Sequence, residues 1–125
     1  MSHPTFLPLE AVIEYVDHDR IGSFAEELFE EDIYTQGIIS GINVLASKRS
    51  LAYTAFLNTP KSKKKLFIFR EVNPEELGEL TESQTLSVLR HSSERKEPIY
   101  VRGDLDITNY YGLDICDASF DKFGS

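Results

Sequence analysis

The apolar pattern predicts an α+β domain, with N-terminal helices packed on one face of a small, mainly antiparallel sheet centred on a hairpin. Three observations carry this expectation. The stretch Leu51–Val72, LAYTAFLNTPKSKKKLFIFREV, sets two apolar runs on either side of a polar, lysine-rich turn. Leu9, Val12, Ile13 and Val16 recur at helical spacing, as do Ile21, Phe24, Ala25, Leu28 and Phe29. Late in the chain, Ile99–Val101 and Leu105–Cys116 alternate as strands do.

The first apolar stripe follows Pro8 and reads as an amphipathic helix. Asp17–Arg20 breaks the pattern, and Ser23 with Glu26 forms a capping box for a second helix. Residues 33–47 fit two periods. Tyr34, Ile38, Ile42 and Leu45 suit a helix, while Ile38, Ile42, Val44 and Ala46 suit a strand. The helix is the reading taken, although Gly37 and Gly41 cost it about 1 kcal/mol each.

Leu51–Leu57 then pairs with Leu66–Val72. Leu66, Ile68 and Val72 point to one side and Phe67 and Phe69 to the other, so the strand is expected to be covered on both faces. Asn73, Pro74 and Glu76 start a short helix, and Thr81 with Gln84 caps another that runs to about Ser92 with Leu86 and Leu89 inward. Arg102–Gly103–Asp104 reads as a turn between strands.

The 125 residues suffice for one domain spanning 1–125, with a polar tail after about Asp117 that is expected to fray. A composition 41% hydrophobic and 27% charged excludes a disordered chain, and no apolar run reaches the roughly 18 residues of a membrane span. The opening MSHPTFLPLE has neither the basic nor the apolar region of a secretory signal, and Cys116 stands alone. A cytoplasmic protein is expected, with Cys116 buried as a small hydrophobe.

Chemistry leaves few marks. Cys116 and His3, His18 and His91 sit in no nucleophile signature. Asp17–His18–Asp19 and the late acids Asp104, Asp106, Asp114, Asp117 and Asp121 lack the spacing of zinc or calcium ligands. The glycines fit no phosphate-binding loop. No catalytic residue, metal or cofactor is expected.

Charge is distributed in blocks within a net of −8. Residues 1–47 hold nine acids and one base, and residues 48–70 hold seven bases and no acid. Two candidate surfaces follow. Glu26, Glu27, Glu30, Glu31 and Asp32 form an acidic stripe suited to a basic protein, and Lys48, Arg49, Lys61, Lys63, Lys64 and Lys65 form a basic segment suited to phosphates. Tyr53, Phe56, Phe67 and Phe69 are assigned to the core, which leaves the lysines without a stacking platform. The leading expectation is a non-enzymatic binding protein, a small acidic inhibitor or immunity-type protein that neutralises a basic partner such as a toxin nuclease. The alternative is a nucleic-acid or ribosome-associated module using the lysine hairpin. The third is an enzyme whose site forms only in three dimensions, around His18 or His91.

Overall fold

Leu51–Asn58 and Leu66–Val72 pair as their composition dictates, with Leu57 opposite Leu66 and Leu51 opposite Val72. The computed structural model describes residues 4–20, 31–46, 51–61, 63–72, 80–107 and 110–123. In chain order these form β1 (Thr5–Phe6), α1 (Leu9–Arg20), β2 (Ile33–Ala46), β3 (Leu51–Asn58), β4 (Leu66–Val72), α2 (Leu80–Arg95), β5 (Ile99–Asp106) and β6 (Gly112–Ser119). The helices expected over 23–29 and after Asn73 fall outside the described residues.

The sheet is closed. β2 pairs with β5 through Ile33–Gly37 and with β3 through Ile38–Ala46. The hydrogen-bonded ring therefore runs β2–β3–β4–β6–β5 and back to β2. The expectation of helices on one face of an open sheet is corrected to a five-stranded barrel on which the two described helices pack. Residues 33–46 are a strand, not a helix. Ile33, Thr35, Gly37 and Ile39 turn inward at period two, and branched residues suit that pleat better than a helix holding two glycines.

One residue lets β2 follow the barrel's curvature. Between the pairs Ser40–Phe56 and Asn43–Thr54, two β2 residues face one on β3. Gly41 occupies this bulge at φ 64°, a left-handed angle that glycine adopts without steric cost. A second bulge puts Cys116 opposite no β5 residue, and its side chain is exposed rather than buried. Gly103 is not in a turn. It lies within β5, so close to β6 that a Cβ would come 2.0 Å from the Asp114 carbonyl oxygen. β6 extends past Asp117 to Ser119, and beyond it the Phe123 ring meets Tyr34 at 5.7 Å.

Tyr53, Ala55, Leu57, Leu66, Ile68, Ile99, Val101, Leu113 and Ile115 fill the barrel, and the α1 stripe Leu9–Val12–Ile13–Val16 joins the same core. α2 runs past the expected Ser92 to Arg95. It ends in a Schellman motif, with Lys96 left-handed and the Glu97 N–H donating to the Ser92 carbonyl. The buried Ser92 hydroxyl also accepts from the Ile39 N–H at 3.0 Å and donates to the Glu97 carbonyl at 2.6 Å. Ile39 lies just past the five β2 residues paired with β5, and its N–H takes this hydroxyl instead of a strand carbonyl. One side chain thus ties the helix end to the barrel. Ser92→Ala orphans a buried donor and should cost about 1–3 kcal/mol in denaturant unfolding. The exposed Ser87→Ala should stay within about 0.5 kcal/mol. Equal, small effects for the two would show that the tie carries no stability.

Candidate nucleic-acid interface

The outer face of β3 and β4 carries Thr54 and Phe56 opposite Phe69 and Phe67, respectively. Among the described residues no helix lines the groove at the Phe69–Tyr110 end, while Ile13 and Val16 of α1 line the one beside Phe56 and Phe67. Phe67 and Phe69 are half-buried, Phe56 is 40% exposed, and Tyr110 from the β5–β6 connection is 64% exposed. The four rings make one row. Phe56 meets Phe67 at 5.8 Å between centroids, Phe67 stacks on Phe69 at 5.6 Å and 24°, and Phe69 meets Tyr110 at 5.0 Å. Assignment of Phe56, Phe67 and Phe69 to the core is thereby corrected, while Tyr53, 1% exposed, is the aromatic that does belong there. A strand apolar on both sides met two different needs, core on one and a partly exposed surface on the other.

Two glycines seat the row. A Cβ on Gly41 would come 3.2 Å from the Phe56 ring, and one on Gly112 would come 3.0 Å from the Phe67 ring. The rings therefore lie close against bare backbone.

The lysine turn adjoins one end. Lys61, Lys63, Lys64 and Lys65 are all exposed, and Lys65 Nζ lies 5.9 Å from the Phe56 centroid, within cation–π range. Lys64 Nζ pairs with Asp17 of α1 at 2.5 Å, and Thr59 donates to Glu10 at 3.1 Å, so α1 holds the turn beside the rings. Lys48 and Arg49 fall outside the described residues.

At the other end the row is bordered by Glu71, Asp106 and Asp114, with Arg70 donating to the Ile115 carbonyl at 3.1 Å. Partial desolvation holds the Asp114 carboxyl above its usual range. Arg70 pulls it down, and Asp104, Asp106 and Glu71 push it up.

Of the acidic stripe, Glu31 and Asp32 are among the described residues. Glu26, Glu27 and Glu30 fall outside the described residues, and Glu31 is exposed. Asp32 is engaged within the fold. Its carboxylate accepts from Arg102 Nε at 2.7 Å and Nη2 at 3.1 Å, a two-pronged pair, while its N–H donates to Asp104 at 2.7 Å and its carbonyl accepts from Thr5. His91 lies on α2, 3.0 Å from Glu97 and edge-on to Phe120, and α2 does not line the grooves around the aromatic row. Among the described residues no group of three His, Cys, Asp or Glu could hold a metal ion, and no helix is long and apolar enough to cross a membrane.

A five-stranded Greek-key barrel with parallel closure between β4 and β6, and a helix between β4 and β5, is an OB-like barrel. Comparison with solved structures agrees on the fold. The crystal structure of yeast Stn1 and Ten1 matches with a TM-score of 0.57 at 11% identity, over 95% of this chain and 63% of that one. The structure of RecG bound to a three-way DNA junction matches at 0.53 and 15% identity, over 96% of this chain and 13% of that one. This chain therefore spans less than two thirds of either. No family model and no curated protein sequence matches it. The expectation of an immunity-type toxin inhibitor is corrected. These neighbours share an OB-like barrel, and Asp32 of the acidic stripe pairs with Arg102 instead of standing free.

Two outcomes test this geometry. Phe69→Ala should cost no more than about 2 kcal/mol, against about 2–5 for the buried Ile68→Ala, and equal costs would return Phe69 to the core. For Asp114, a folded value above 3.8 means that ionisation is disfavoured in the folded state. Its contribution to stability is then full below that pH and is lost as pH rises through the raised value. Asp114→Asn should melt at or above the parent temperature near neutrality, with the gap closing on acidification. A variant that melts lower at neutral pH would overturn the assignment.

Proposed function

We propose that the chain is a binding module for single-stranded nucleic acid, without catalysis of its own. The observation that carries this reading is the partly exposed row Phe56–Phe67–Phe69–Tyr110 on the strand face that OB barrels use for oligonucleotides and oligosaccharides. Bases stack on such rings whatever their sequence, at about 1–3 kcal/mol each, and only an unpaired strand offers free base faces. The adjoining lysines favour a phosphate-bearing ligand over a neutral sugar chain. A net charge of −8 weakens long-range attraction, so stacking supplies most of the affinity and the lysine turn sets the polarity of approach. The RecG structure with a DNA junction lends the reading support from the fold.

The test is fluorescence anisotropy with labelled single strands of about a dozen nucleotides, within the range one OB barrel occupies. Phe67→Ala and Phe69→Ala should each weaken binding about 5- to 150-fold. Replacing Lys61, Lys63, Lys64 and Lys65 by glutamine should flatten the log–log salt dependence by about 0.7 for each phosphate that a lysine no longer neutralises. Duplex of the same length should compete poorly. Binding indifferent to the ring substitutions, or equal for duplex and single strand, would sink the proposal.

A further inference from the structure

The Tyr110 end of the row opens into a cavity of about 550 Å³, inside the range of about 300–1,000 Å³ that holds small ligands. Phe69 and Tyr110 supply its aromatic surface, the small residues Ala52 and Thr54 leave it room, and Asp106 and Asp114 stand on its wall. We infer that this cavity is a base-reading subsite that takes an amino-bearing base, cytosine, adenine or guanine, and turns away thymine and uracil, with Asp114 as the reading group.

The wall is chiefly an acceptor: Glu71, Asp106 and Asp114 line it, and Arg70, the one cation there, is turned to the Ile115 carbonyl at 3.1 Å. An ionised carboxylate only accepts hydrogen bonds, so the base edge facing it must donate. Cytosine N4, adenine N6 and guanine N2 carry amino groups that do so. Thymine and uracil present two carbonyl oxygens on either side of a single N–H, and those oxygens face the carboxylate as like to like. The acids also repel phosphate, which leaves the sugar–phosphate backbone toward the lysine turn and the base edge inward.

The fold itself gains nothing from this arrangement. Asp114 stands directly opposite Asp104 in the β5–β6 register, a like-charged cross-strand pair that is destabilising. Asp104 accepts a backbone N–H from Asp32, whereas no hydrogen bond or ion pair reaches the Asp114 carboxylate from the described residues. Asp114 is exposed, and the partial desolvation that moves its pKa upward agrees with a group held there for something other than stability.

The subsite rests on the single-strand reading above, and the experiment separates the two. Anisotropy is measured with equal-length dC, dA and dT homo-oligomers on the parent protein, on Asp114→Asn, and on Asp121→Asn as a control that removes one acid outside the cavity. The parent should hold dC or dA about tenfold tighter than dT. Asp114→Asn should close that gap chiefly by raising dT affinity, since the amide can donate to a carbonyl oxygen. Asp121→Asn should leave the gap unchanged. Equal binding of all three oligomers by the parent, or a gap that survives Asp114→Asn, overturns the subsite while leaving single-strand binding in place. Failure to bind any oligomer overturns the proposed function and the subsite with it.

Discussion

Closure depends on β2 serving two partners. Its first five residues pair with β5 and the rest with β3, so a 14-residue strand joins both edges of what would otherwise be an open sheet. Closure gives each ring strand a partner on both sides and one inner and one outer face. The inner faces fill with Tyr53, Leu57, Ile68 and their neighbours. The outer face of β3 and β4 turns away from that core, which leaves three phenylalanines there partly exposed.

The parts legible from sequence are those whose causes are local. The α1 stripe repeats at helical spacing and all four of its residues are buried. The hairpin announces itself by branched and aromatic residues around a polar turn, and the two expected spans pair. Residues 33–46 mislead because Ile38, Ile42 and Leu45 satisfy a helical period, and because the Gly41 bulge shifts the phase of the strand midway. Closure itself has no local signature. It is decided where Ile33 meets Gly103, 70 positions further along the chain.

The candidate site divides along the same line. The lysines of the turn stand out by charge alone. Phe56, Phe67 and Phe69 are visible as aromatics but not as surface, since alternation distinguishes two faces without saying which one will be covered. Tyr110 and Asp114 come to the row from the far side of the β4–β6 junction, and nothing in their own neighbourhoods points there. The nearest signal in the sequence is a set of late acids, whose spacing suits no zinc or calcium site.

The β4–β6 junction has a mechanical meaning. Only Ile68 with Leu113 and Phe69 with Asp114 are in register across it, the shortest run of paired residues anywhere in the ring. If the barrel breathes, this is the line with the fewest hydrogen bonds to break. Phe69 stands on one lip and Tyr110 belongs to the loop entering the other, with their rings in contact over the gap. A molecule wedged against both rings clasps the two lips together. Occupancy and resistance to opening are then two readings of a single equilibrium, and each must rise with the other.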